Sequence, residues 1–265
     1  MIQRIPQPAA PVIEAHGLDL SYGPARVLRD VNFRVLPGQV VGLVGESGSG
    51  KTTLAKAIVG VEPISAGSLT VLGEPAGHLR GARGFERRRR VQLIPQDPFS
   101  SLNPRRSIGQ TIAEAIDPKR GSLDRHRDEV VALLEQMQLG ADSADRLPHQ
   151  FSGGQRQRIA IARALAVQPE LIVADEITSA LDVSVQAEIL VLLEELLAGS
   201  GITMLFISHN LAVVSQLCSD VMIMRSGELV EHGPVSDVFV HPGHPYTRRL
   251  LDSIPGSPGF SLARG

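Results

Sequence analysis

Residues 45–53 read Gly-Glu-Ser-Gly-Ser-Gly-Lys-Thr-Thr and follow directly on the apolar run Val40-Val41-Gly42-Leu43-Val44. This pattern, G-x-x-x-x-G-K-[ST] between a strand and a helix, limits the fold more than any other feature of the chain. Glycines let the backbone curl so that successive N–H groups point inward and form a nest for phosphate oxygens. A helix starting near Lys51 offers its positive dipole end to the same anion. Lys51 can then reach the β- and γ-phosphates, and the Thr52 hydroxyl can ligate Mg²⁺. The candidate phosphate cradle is therefore Gly45, Glu46, Ser47, Gly48, Ser49, Gly50, Lys51, Thr52 and Thr53.

The remaining chain alternates short β-branched runs with helical patterns, separated by Pro and Gly, which predicts an α/β fold with a mostly parallel sheet. Strands are expected at 12–21, 31–36, 40–44, 68–72, 91–94, 171–174, 202–207, 221–225 and 228–231, the last two joined as a hairpin through Ser226-Gly227. Helices are expected at 51–59, 107–116, 124–138, 154–166, 184–198 and 210–217. In 184–198, Val185, Ile189, Leu192, Leu193 and Leu196 recur at helical spacing and mark one buried face. The stretch 105–150 is more purely helical than its flanks, as an insertion into the core would be. Residues 1–11 and 251–265 are expected to be flexible tails around a domain at 12–250.

At 265 residues the chain can bury a sizeable core. A net charge of −2 and the absence of Trp speak against a nucleic-acid surface. The single cysteine, Cys218, leaves no internal disulfide or cysteine-rich cluster and reads as a passive thiol near a helix end. No apolar run is long enough to span a bilayer, and prolines at 6, 8 and 11 interrupt any secretory leader, so a cytosolic setting is expected.

Two further segments carry chemistry. Leu171-Ile172-Val173-Ala174-Asp175-Glu176 is an apolar strand ending in two acids, placed to face the cradle from a neighbouring strand. Asp175 can hold Mg²⁺, through water, and Glu176 can polarise an attacking water. Ser152-Gly153-Gly154-Gln155 opens a helix and makes a second amide nest, or else is an ordinary N-cap with Ser152 as the capping residue.

With these pieces in order, the chain resembles the ATP-binding cassette of ABC transporters over nearly its whole length. The resemblance rests on 45–52, on Phe-Ser-Gly-Gly-Gln at 151–155, on the acids at 175–176, on Ser179-Ala180-Leu181-Asp182 as the D-loop and on His209 as the switch histidine. It implies a P-loop NTPase core with an antiparallel β subdomain and a helical subdomain at about 98–165. It also implies a head-to-tail dimer in which each ATP lies between one subunit's cradle and the other's Ser152, Gly153, Gly154 and Gln155, with Asp182 nearby. Tyr22 would stack on adenine, Gln96 would contact Mg²⁺ and the water, and His209 would bond the γ-phosphate. Catalysis would fall to Glu176, His209, Gln96 and Lys51, and metal binding to Thr52, Gln96 and Asp175, with ATP and Mg²⁺ as cofactors.

Finer features resemble the peptide and nickel importer cassettes: Gln-Asp-Pro-Phe-Ser-Ser-Leu-Asn-Pro at 96–104, the run at 174–187 and His-Pro-Gly-His-Pro-Tyr-Thr at 241–247. Arg105 resembles the second ATPase of such a pair, implying a heterodimer with a related cassette. The expected partners are integral membrane permease subunits and an extracytoplasmic solute-binding protein, at the cytoplasmic face of the membrane. Peptides are the first choice of cargo, and nickel or a metal chelate the next. A soluble ABC ATPase is the rival reading. His241 and His244 read as parts of a proline-stiffened turn rather than metal ligands, and Arg87–Arg90 as a solvated face. Ile177, Pro95 and Asn210 depart from the family pattern.

Overall fold

The fold is described by a computed structural model covering residues 9–77, 81–98 and 101–253. In chain order the elements are β1 (Ile13–Tyr22), β2 (Ala25–Val35), β3 (Val40–Val44), α1 (Lys51–Ile58), β4 (Ala66–Val71), β5 (Glu74–Pro75), α2 (Gly81–Arg90) and β6 (Val91–Ile94). There follow α3 (Ile108–Ile116), α4 (Leu123–Gln136), α5 (Gly153–Leu165), β7 (Leu171–Asp175), α6 (Val183–Leu197), β8 (Thr203–Ile207), α7 (Leu211–Leu217), β9 (Asp220–Arg225), β10 (Glu228–Pro234), α8 (Val235–Val240) and α9 (Pro245–Asp252).

Two sheets carry the structure. The larger has the order β10-β9-β3-β8-β7-β6, parallel except for β10, which closes one edge as a hairpin with β9. The smaller is antiparallel, with the order β2-β1-β4-β5. Side chains on the parallel strands alternate between two buried layers, as a period of two requires. Val173, Leu205, Ile207, Met222 and Met224 face the antiparallel sheet and α1, whereas Ile172, Met204, Phe206, Val221 and Ile223 face the helices. Burial on both faces explains why these strands read as unbroken apolar runs.

The strands expected at 40–44 and 91–94 coincide with β3 and β6, and the six expected helices appear with ends shifted by a residue or two. Between β6 and β7 every element is helical: α3, α4, two short 3₁₀ turns and α5. Some expectations need correction. β2 begins at Ala25 rather than 31, because pairing with β1 continues to Tyr22↔Ala25 and holds polar residues in a strand. The boundary placed after residue 250 falls inside α9, where Leu250 and Leu251 pack against the core. The tail at 254–265 lies outside the described residues.

Arg87–Arg90 is the last turn of α2 and not a free solvated face. Arg87 is buried and donates to the Pro75 carbonyl at 2.7 Å, Arg89 donates to the Ile116 carbonyl at 2.7 Å, and Arg90 pairs with Glu170. Of these four arginines only Arg88 is exposed. Cys218 caps the end of α7 and is buried, which pushes its thiol up to about 12, with the Asp220 charge adding to the effect.

Candidate phosphate-binding site

β3 ends at Val44, the chain turns through 45–50, and α1 starts at Lys51 with Gly50 in the left-handed region at φ 105° as its N-cap. The turn is pressed against the end of β9: a Cβ on Gly45 would sit 2.1 Å from the Met224 carbonyl oxygen, so only glycine fits. Gly227 of the β9–β10 hairpin braces the other side, its N–H donating to the Ser49 carbonyl at 3.0 Å. The Ser49 hydroxyl is buried and has no partner among the described residues.

Lys51 is 5% exposed and folds back over the turn, donating to the carbonyls of Gly45 and Glu46 at 2.8 Å each. Burial draws its ammonium below the ordinary lysine range, and the carboxylates of Glu176 and Asp175 act against that. The cradle opens into a cleft of about 320 Å³ lined by Tyr22, Ser47, Lys51, Thr52, Gln96 and Glu176, among others. Tyr22 closes β1 at the rim, 45% exposed. An exposed ring at the mouth of a phosphate nest is a surface on which a planar base can lie.

The two acids take different environments. Asp175, the last residue of β7, is buried, and burial holds its carboxyl above the ordinary carboxylate range while the Thr52 hydroxyl at 3.4 Å pulls the other way. Glu176 follows at φ 48°, its N–H held by the Ile207 carbonyl at 3.0 Å. Its Oε2 meets Gln96 Nε2 at 3.2 Å and His209 Nδ1 at 3.4 Å. Gln96 also reaches the Ser179 hydroxyl at 3.4 Å. The tips of β6, β7 and β8 thus deliver Gln96, Glu176 and His209 to one point, because the three strands are neighbours in parallel register.

A magnesium ion takes hard oxygen donors. Thr52 Oγ1 and Asp175 Oδ1, 3.4 Å apart, form such a pair, and a cation there would relieve the buried Asp175 charge. The donor chemistry fits.

Ser152, Gly153, Gly154 and Gln155 stand elsewhere. Ser152 caps α5, its hydroxyl accepting from the Gln155 N–H at 3.3 Å while the Gln155 side chain accepts from the Ser152 N–H at 3.0 Å. Ser152, Gly154 and Gln155 line a separate cleft with Gln138, Arg158 and Glu188. Asp182 is exposed and caps α6, accepting from Ser184 Oγ at 2.6 Å and the Val185 N–H at 3.0 Å. Those bonds hold its carboxyl below the usual range. Within one chain, then, neither the 152–155 segment nor Asp182 lines the cradle cleft.

Asn210 caps α7, its side-chain oxygen accepting from the Ala212 N–H at 3.1 Å. Ile177 is buried in the core. His244 caps α9 through Nδ1. Among the described residues no group of three or more His, Cys, Asp or Glu is gathered as a metal cage would need. Sequence reasoning did not anticipate that the Tyr246 hydroxyl accepts from the Glu46 N–H at 3.1 Å. The distinctive 241–247 run was its only signal.

Residues 28–179 match the family described as ABC transporter. The oligopeptide transport ATP-binding protein OppF of Streptococcus mutans is 44% identical over 233 residues, which cover 87% of this chain and 75% of that protein. The di/tripeptide transport ATP-binding protein DppF of Pseudomonas aeruginosa is 43% identical over 245 residues, covering 91% and 75%. Among solved structures, cbiO1 of Clostridium perfringens, part of the ABC transporter complex cbiONQ, superimposes with a TM-score of 0.78 at 26% identity, over 87% of this chain and 91% of that one. A dimeric ATP-binding cassette in a post-hydrolysis state with ADP and Pi gives a TM-score of 0.74 at 26% identity, over 84% and 98%.

Proposed function

The chain belongs to the ABC transporter family, and from that premise we propose that it binds and hydrolyses ATP to drive peptide import through membrane permease subunits. The observation that carries the reading is the division of the nucleotide machinery. Lys51, Thr52, Gln96 and Glu176 surround one cleft, while Ser152, Gly154 and Gln155 line another. Two such cassettes arranged head to tail bring one cleft to the other, and the triphosphate lies between them.

In that assembly the backbone N–H groups of the cradle and Lys51 hold the phosphates, and Tyr22 carries the adenine. Thr52 and Asp175, with Gln96, are the residues that would hold Mg²⁺, which when bound neutralises phosphate charge. Glu176 takes a proton from water as the water oxygen bonds to the γ-phosphorus and the bridging oxygen leaves with ADP. Gln96 and His209 hold the Glu176 carboxylate in place, and His209 reaches the γ-phosphate. Most of the rate comes from positioning and charge stabilisation.

We assign the ATPase domain to residues from 12 to the end of α9 at Asp252, and about 98–165 to its helical subdomain. The position is peripheral, at the cytoplasmic face of the membrane, beside a related cassette and against the permease, which takes its cargo from a solute-binding protein on the opposite side. No helix among the described residues is long and apolar enough to cross a membrane.

The test is a reconstituted complex of this chain with its permease and cassette partner in proteoliposomes. Peptide delivered with its binding protein raises ATP turnover and accumulates inside. Turnover indifferent to peptide overturns the import reading. Full-rate hydrolysis by solitary chains, with Ser152 and Gly153 dispensable, overturns the shared site.

A further inference from the structure

One peptide unit of the cradle is gripped at both ends. The Gly45 carbonyl accepts from Lys51 Nζ at 2.8 Å, and the N–H on the other side of the same peptide bond, that of Glu46, donates to the Tyr246 hydroxyl at 3.1 Å. Tyr246 lies 200 residues further along the chain and is only 3% exposed.

Its placement is built from several directions. Pro245 starts α9, and His244 Nδ1 accepts from the N–H of Tyr246 itself at 3.1 Å. The Glu231 carboxylate, on β10, accepts from the N–H groups of Gly243 at 2.7 Å and His244 at 3.1 Å and ties the 241–247 run to the sheet. The Arg225 guanidinium lies over the tyrosine ring, 5.1 Å from its centroid. The ring is locked and the hydroxyl is aimed. Hydrolysis as derived above makes no use of that hydroxyl.

We infer that Tyr246 is a positioning residue for the phosphate cradle: together with Lys51 it fixes the plane of the Gly45–Glu46 peptide, and so the direction in which the following N–H groups open to a triphosphate. The inference rests on the reading of 45–53 as a nucleotide cradle. Tyr246→Phe keeps the ring, its packing and the Arg225 contact, but leaves the Glu46 N–H without its acceptor. Losing one such hydrogen bond weakens ATP binding about threefold to tenfold.

The experiment measures ATP affinity of the full chain by competition against a fluorescent ATP analogue, together with thermal midpoints, for wild type, Tyr246→Phe, Tyr246→Ala and Lys51→Ala. Expected are a midpoint lowered by no more than about 4 °C, the cost of one part-buried hydrogen bond, with threefold to tenfold weaker ATP binding for the Phe variant, and a much lower midpoint with weak binding for the Ala variant. Phe thus restores most of the stability without restoring affinity, a split that packing alone does not give. If Lys51→Ala loses ATP while Tyr246→Phe binds as wild type, the inference fails and the cradle stands. If Lys51→Ala binds normally, the cradle reading fails and the inference with it. Should the Phe variant not fold, amide exchange of the wild-type chain decides. Protection of the Glu46 N–H before nucleotide is added supports the contact, and exchange at the rate of an open loop overturns it.

Discussion

Gln96 Nε2 and Glu176 Oε2 lie 3.2 Å apart, although 80 residues separate them in the chain. The contact joins the segment after β6 to the tip of β7, at the cleft where the cradle opens. It makes the carboxylate of Glu176 a held group with a defined direction. Glu176→Gln keeps the size and an acceptor for Gln96 but cannot take a proton. Turnover should fall about 10²–10⁴-fold with ATP affinity within about threefold of wild type. Single-turnover hydrolysis beside equilibrium binding measures both, and near-normal hydrolysis would remove Glu176 from the role of base.

Asp175 sets a pH dependence of known sign. Burial lifts its carboxyl above the ordinary 3.8. Over the range between the ordinary and the lifted value, the folded chain keeps a proton there that the unfolded chain has released. The stability this group contributes is therefore fullest at acid pH and is lost as the pH rises through that range. At neutral pH the buried charge is unfavourable, so Asp175→Asn should stabilise the nucleotide-free chain by about 1 kcal/mol, or about 2–4 °C in the midpoint. The gain should shrink near pH 4, and magnesium-dependent hydrolysis should disappear. A destabilised variant at pH 8 would contradict the account.

Adjacent glycines at the start of α5 should behave differently. A Cβ on Gly153 meets nothing nearer than Leu181 Cδ2 at 3.8 Å, whereas one on Gly154 falls 2.3 Å from Val185 Cγ1. Gly153→Asp should keep the wild-type midpoint and still lower hydrolysis more than about 100-fold, because in the proposed head-to-tail pair its charge would face the partner's phosphates. Gly154→Ala should lose about 1–3 kcal/mol through overpacking, and Val185→Ala in the same chain should recover most of it. Calorimetry with an ATPase assay separates the two. Equal loss of stability at both positions would refute the distinction.

Cys218 should be chemically silent. Its thiol, pushed up to about 12 by burial and the Asp220 charge, holds almost no thiolate at pH 7.5. Labelling by a disulfide reagent should be slow in the folded chain and rapid in denaturant. Fast labelling without denaturant would mean that α7 opens readily.

The Arg-rich helix α2 shows where sequence reading fails. Its residues have no apolar periodicity, and a run of four arginines reads as solvated. Burial of Arg87 depends on the Pro75 carbonyl and the anchoring of half-buried Arg89 on the Ile116 carbonyl, neither of which a local pattern reveals. Helices α8 and α9 were missed for a related reason: they are short, and prolines at 234, 242 and 245 punctuate them. Ser152 was legible both as a cap and as a nest, and the capping box leaves the Gly153 backbone exposed at the same helix end.

The sequence by itself determined the parallel strands, the cradle with Lys51 and Thr52, and the acids that end β7. Each depends on neighbours in the chain: apolar runs buried on both faces, glycines at a turn, a helix start beside a lysine. The tertiary structure alone decided that Arg87 is buried and that Tyr246 holds the Glu46 N–H, and it supplied the contacts among Gln96, Glu176 and His209, which the sequence had grouped only through the family resemblance. Those contacts join residues tens to hundreds of positions apart, and only sheet order and packing bring such residues within hydrogen-bonding distance.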